Sequence, residues 1–190
     1  MAGGVGYYIW NDFASRSPVG NRVPDNPQVE QLEQLEHPDL DRPINITADM
    51  PQEAQAIYRK KIEELSAELK NNPDLFNDWL DLGIYRQNIG DYEAAKECWE
   101  YAGKIRPNNS TSFQNLGYLY GYYLKDNKKA EENYLKALAN GPEQVYIYRN
   151  TYEFYRYVIK DDIKAKEILK KGIEANPDTS QDLKNLLNNF

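Results

Sequence analysis

Between residues 52 and 71 apolar side chains return at Tyr58, Ile62, Leu65 and Leu69, in steps of four, three and four. That spacing keeps them on one face and predicts an amphipathic helix over 52–71. Asp49 is its expected N-cap, with Pro51 in the first turn. Further on the stripe recurs in pairs. Trp79, Leu82 and Gly83 mark one helix, Gly90-Asp91 a turn, and Ala95, Trp99 and Ala102 a second helix. Phe113, Leu116, Gly117 and Tyr120 precede Ala130, Tyr134 and Ala137 in the same way. Tyr148 and Tyr155 precede Ala165 and Leu169. Small residues, Gly83 with Ala95 and Gly117 with Ala130, predict close helix approach. Each pair leaves an apolar face that only a neighbouring pair can cover. Ser180 is the expected cap of a short last helix, with Leu183, Leu186 and Leu187 on its apolar side. The pattern predicts an all-α domain of about eight helices over residues 49–190.

Before residue 49 the pattern stops. Pro18, Pro24, Pro27, Pro38, Pro43 and Pro51 crowd this part, and proline removes donors and fixes φ. Residues 11–48 read as an extended acidic linker. Val29, Leu32 and Leu35 allow a helical turn over Gln28–Glu36. Ile44 and Ile46 offer the alternative of an arm pinned to the domain. Residues 1–10 carry no charge and end in Tyr7-Tyr8-Ile9-Trp10. Glycines followed by interfacial aromatics read as the end of a truncated membrane anchor, because no basic region precedes them as in a signal peptide. The expectation is a domain tethered to a membrane through a missing N-terminal helix, on the extracytoplasmic side. The other reading is an apolar arm that docks or frays.

The remaining prolines, Pro73, Pro107, Pro142 and Pro177, are spaced by 34, 35 and 35. They define units 76–109, 110–144 and 145–179, with a cap helix at 52–71 and a C-cap at 180–190. The units resemble tetratricopeptide repeats, through WLDLG and AKECWEYAGKIRP in the first and FQNLGYLY and AEENYLKALANGP in the second. The anchor-spacer-repeat order resembles bacterial single-anchor tetratricopeptide proteins. Arg86 stands where the pattern has Tyr. The second and third units carry one extra residue, at KDNKKA and KDDIKA. Thr151-Tyr152 replaces Leu-Gly, and Gly172 replaces the last Ala, so the third pair is expected to splay.

The resemblance implies a right-handed α-solenoid whose first helices line a concave, peptide-holding groove. Carried over by position, that groove takes Asn77, Leu80, Asp81, Ile84 and Asn88 from the first unit. It takes Thr111, Gln114, Asn115, Tyr118 and Tyr122 from the second. From the third it takes Tyr146, Arg149, Asn150, Glu153, Arg156 and Tyr157. Leu80 and Ile84 sit where a carboxylate clamp needs charged or amide groups.

Composition favours binding over chemistry. Ten of the 16 tyrosines fall between Tyr118 and Tyr157. The spacing assigns Tyr120, Tyr134, Tyr148 and Tyr155 to packing and leaves chiefly Tyr118, Tyr122, Tyr146 and Tyr157 to face the groove. Tyrosine suits recognition, having a large apolar body and a polar tip. Arg149 and Arg156, seven apart, are expected to pair an acidic partner segment, or linker residues 28–41 folded back. A protein or peptide is the expected partner, with a glycan or other small ligand as the alternative. The net charge of −7 excludes a nucleic-acid binder. Most of it lies in residues 1–50, which hold three arginines against eight acids. His37 is the only histidine and Cys98 the only cysteine, so neither a zinc site nor a Cys-His pair is expected. The expectation is a non-enzyme without metal or cofactor. Asn45-Ile46-Thr47 and Asn109-Ser110-Thr111 match the glycosylation acceptor pattern, read here as coincidence in an Asn-rich chain.

Overall fold

The computed structural model describes residues 36–190. The run 1–10, the helical turn predicted from Gln28 and most of the linker lie outside the described residues. The described residues are all-helical, with no strand. Their helices are α1 Gln52–Asn71, α2 Phe76–Asn88, α3 Tyr92–Ile105, α4 Thr111–Leu119, α5 Asn127–Asn140, α6 Val145–Glu153, α7 Asp162–Ala175 and α8 Gln181–Asn188. Each packs on the next in the chain. Trp79, Trp99, Tyr134, Ile147, Phe154 and Leu169 form the fully buried centre. Truncating a ring such as Trp99 to Ala costs about 3–5 kcal/mol at such sites.

Glycine sets the closeness of the first two pairs. A Cβ at Gly83 would lie 2.2 Å from Trp99 Nε1, and one at Gly117 would lie 2.8 Å from Tyr134 Cγ. The group that meets each glycine is therefore a ring, not the small Ala95 or Ala130. Trp99 Nε1 donates to the Leu80 carbonyl at 3.1 Å, so the buried indole is satisfied. In the third pair Tyr152 stands in the glycine's place, and Gly172 supplies the room instead. A Cβ there would lie 2.7 Å from Tyr148 Cγ. Tyr148 packs against α7 there, and the third pair remains the least closely packed of the three, in the direction expected from the sequence.

Three aspartates cap the second helices. Asp91 accepts from the Ala94 N–H, Asp126 from Lys129, and Asp161 from Ile163 and Lys164. Each cap contributes about 1 kcal/mol. Asp49 does not cap α1: the helix begins after Pro51, whose carbonyl accepts from the Gln55 N–H. Ser180 holds the N-cap position of α8 but makes no capping bond, and its Oγ is buried without a partner.

The extra residue of the second and third units is absorbed by a helix, not by a loop. After α2, Gly90 turns left-handed at φ 85° and the Asp91 N–H bonds to the Arg86 carbonyl, five residues back. α4 and α6 instead run on as π-helical turns, Tyr120–Leu124 and Phe154–Ile159. Lys125 and Lys160 then take the left-handed conformation. The N–H of Asp126 bonds to the Tyr120 carbonyl and that of Asp161 to the Tyr155 carbonyl, six residues back. One residue inserted in a helical turn widens it to i→i+5, which keeps the capping aspartates in register.

Residues 36–48 lie against the first helices. The N–H groups of Thr47 and Ala48 bond to the Ile89 carbonyl at 2.9 and 3.2 Å. Arg86 donates to the carbonyls of Arg42 and Pro43 at 3.1 and 3.2 Å. Leu40 is the buried pin, while Ile44 and Ile46 are half-buried. Asp41 pairs with Lys70 of α1. This end of the 28–41 stretch thus lies on α1 and does not fold back onto Arg149 or Arg156.

Candidate functional site

α4 and its π turn carry the densest group of tyrosines. The rings of Tyr118 and Tyr122 are 4.7 Å apart, and Tyr123 meets Tyr118 edge-on at 5.7 Å. Tyr123 also lies 4.5 Å from Tyr92 at the start of α3. In an α-helix only i+3 and i+4 neighbours share a face. The π turn brings i+5 round as well, so Tyr118 meets both Tyr122 and Tyr123. Tyr152 and Tyr157 repeat the i, i+5 pairing at 6.3 Å in the second π turn. Sequence spacing pointed to Tyr118 and Tyr122 and missed Tyr123 and Tyr92. The signal that would have found them is the extra residue in the repeat.

Glu153 of α6 lies close to this group. Burial above all, then Tyr123, Tyr122 and the Glu153 carboxylate, pushes the Tyr118 hydroxyl well up. Burial, then Glu153 and Tyr157, pushes Tyr122 up to about 12. Both hydroxyls therefore stay protonated at neutral pH, able to donate and to accept. Glu153 Oε1 accepts from Arg149 Nε at 3.2 Å. Tyr134, packed on Gly117, has a buried hydroxyl without a partner, within electrostatic reach of Tyr122, Tyr118 and Glu153.

The structure brings Tyr118, Tyr122, Arg149, Glu153 and Tyr157 together. Arg156 stands within electrostatic reach of Tyr157 and Tyr152. It pairs with Asp162 and lies over the Phe190 ring at 4.4 Å, which ties α6 to α7 and the C-terminus. Both arginines thus have a carboxylate within the chain, Asp162 for Arg156 and Glu153 for Arg149. Tyr146 donates its hydroxyl to Gln144 Oε1 at 2.7 Å, and its ring stays 41% exposed. Tyr157 is 64% exposed. Gln114, Asn115 and Asn150 are half-buried on α4 and α6. On α2, Asn77 and Asn88 are exposed, Ile84 is half-buried, and Leu80 belongs to the core.

Burial pushes the Cys98 thiol up to about 12, so it is protonated at neutral pH. Among the described residues no cluster of three or more His, Cys, Asp or Glu is placed to hold a metal ion. No helix among them is long and apolar enough to cross a membrane. No protein-family model matches the chain, and no curated protein matches it.

Proposed function

We propose that the chain is a tetratricopeptide-type scaffold, a right-handed α-solenoid whose concave groove holds a peptide segment of a partner protein. It binds rather than catalyses. The observation that carries this reading is the tyrosine group on α4 and its π turn. Half-buried rings offer their faces, their hydroxyls stay protonated, and the neighbouring Glu153 is neutralised by Arg149. Such a surface gains contact area at low entropic cost, as recognition sites do. Hydrogen bonds at one repeat's separation support the stacking. Ser110 Oγ donates to Gln144 Oε1 and Asn176 Nδ2 to the Pro142 carbonyl, each 34 residues apart.

The test is a displayed peptide library selected on the wild-type chain. Selected peptides are then titrated onto Tyr122→Ala/Tyr157→Ala, checked for an unchanged melt. Binding should weaken by about tenfold or more. Equal affinity would refute the groove assignment. A glycan is the second reading, favoured by the exposed ring of Tyr157. Variant-sensitive binding on a glycan array, with no peptide selected, would establish it instead.

A further inference from the structure

The stretch Leu40-Asp41-Arg42-Pro43 is held as a ligand is held. Leu40 and Asp41 lie in a turn, where the Asp41 N–H bonds to Asp39 Oδ1 at 2.9 Å, and the chain runs on without helix or turn from Arg42 to Thr47. Asp41 reaches Lys70 of α1, while Arg42 reaches Glu97 of α3 at 2.9 Å, with Asp91 at 3.9 Å. Leu40 is 7% exposed. The main chain is read as well. Arg86 takes the carbonyls of Arg42 and Pro43, and Arg59 takes that of Ile44 at 3.2 Å. Arg86 itself is 2% exposed and fixed by Asp91 at 3.1 Å. Thus Lys70, Arg59 and Arg86 face one flank of the segment, and Asp91 and Glu97 face the other. None of these anchors belongs to the segment.

The segment does not fill its seat. A cleft of about 580 Å³ remains between residues 40–44 and α1. Ser66 lines it, 93% buried by its 7% exposure, with an Oγ that has no hydrogen-bond partner. A buried hydroxyl left unpaired is unfavourable. At the next two pairs the equivalent position is closed. Tyr120 bonds to Glu100 with Lys129 against its ring, and Tyr155 bonds to Glu131 with Lys164 against its ring. At the first pair the ring is replaced by Arg86, and the seat is open.

We propose that the seat of residues 40–43, together with the cleft beside it, is a second peptide site, which takes a segment of another protein carrying Leu-acid-Arg-Pro, and that residues 40–43 occupy the seat as an internal competitor. The charge alternation argues for that occupant: an acid toward α1 and an arginine toward α3. The site uses α1, α2 and α3, and it does not rest on the tyrosine groove.

The probe is a fluorescein-labelled peptide of residues 37–48 added to the full chain. Leu40→Ala/Arg42→Ala weakens the internal segment and leaves the helix anchors intact. By anisotropy it should bind the probe at least about fivefold more tightly than wild type, because its site is more often vacant. A peptide with Asp41 and Arg42 exchanged should not bind. In the wild-type chain, excess unlabelled peptide should speed hydrogen exchange at Thr47 and Ala48, even should the double variant fail to fold. Unchanged exchange together with no saturable binding overturns the proposal, as does equal binding of the exchanged peptide. A concentration-dependent wild-type dimer joined through residues 40–43 overturns the assignment to another protein in favour of a second copy.

Discussion

Replacing Arg86 by methionine removes its charge and keeps most of its volume. Arg86 holds three oxygens: Asp91 Oδ2 at 3.1 Å and the carbonyls of Arg42 and Pro43 at 3.1 and 3.2 Å. Breaking a buried ion pair by removing one partner costs about 3–5 kcal/mol when the other charge is stranded. Asp91 is not stranded. Its side chain is 18% exposed, it caps the Ala94 N–H, and Arg42 stays within 3.9 Å. The lost pair is therefore worth about 1 kcal/mol. Each carbonyl loses a part-buried hydrogen bond from a charged donor, worth about 1.5 kcal/mol. The expected loss is about 4 kcal/mol, or about 8–16 °C in Tm for a chain of this size. Arg42→Ala is the control. That pair is 27% and 34% exposed, so its loss should stay below about 1 kcal/mol. Urea unfolding followed by ellipticity gives the stabilities, and hydrogen exchange at Thr47 and Ala48 reports whether the segment stays seated. Arg86→Met within about 0.5 kcal/mol of wild type, with those amides still protected, would refute the reasoning.

Gly83→Ala puts a Cβ 2.2 Å from Trp99 Nε1, on a buried ring pinned to the Leu80 carbonyl. It should cost about 2–3 kcal/mol in urea unfolding, and a cost within the noise would mean that the ring moves freely. Lys125→Gly relieves a left-handed lysine at φ 59°. It should raise Tm, with a gain of about 0.5–1 kcal/mol after the added freedom of the unfolded chain, and a drop in Tm would show that the lysine side chain matters more than its backbone. Burial raises Tyr122 and Tyr152 to about 12 in the folded state, above the ordinary phenol value of 10.0. Protonated phenols favour the fold, so their contribution is complete below about pH 10 and is lost as pH rises toward 12. The urea midpoint should fall across that window as tyrosinate absorbance appears, and a flat midpoint would contradict the burial.

Features within one or two turns were legible in the sequence. α3, α5 and α7 end at Ile105, Asn140 and Ala175, each two residues before a periodic proline. The residue before a proline avoids the helical region, so the punctuation is local. Spacing assigned Tyr120, Tyr134, Tyr148 and Tyr155 to packing, and all four are buried. The seating of residues 36–48 was not legible, because its hydrogen bonds to the helices span 15 to 55 residues, from Ile44 to Arg59 and from Arg42 to Glu97. Its main reader, Arg86, looks in the sequence like a defect in a repeat. Only the position of the Arg42 and Pro43 carbonyls gives that arginine a reason.

The extra residue in the second and third units was visible, but its consequence was not. Sequence register counts an insertion without saying which element absorbs it. A loop would have taken it at little cost and changed nothing nearby. A π turn takes it at the price of poorer helical geometry and two lysines held left-handed. What that expense supports is on the same turn: Tyr122 and Tyr123 both meet Tyr118, and Tyr157 meets Tyr152. The first pair, without the insertion, ends in Gly90 and has no such ring group. Instead Arg86 sits five residues before its capping aspartate and reads a backbone segment. One residue more or less between Arg86 or its counterparts and the cap thus separates a helix end that presents tyrosines from one that grips an extended chain.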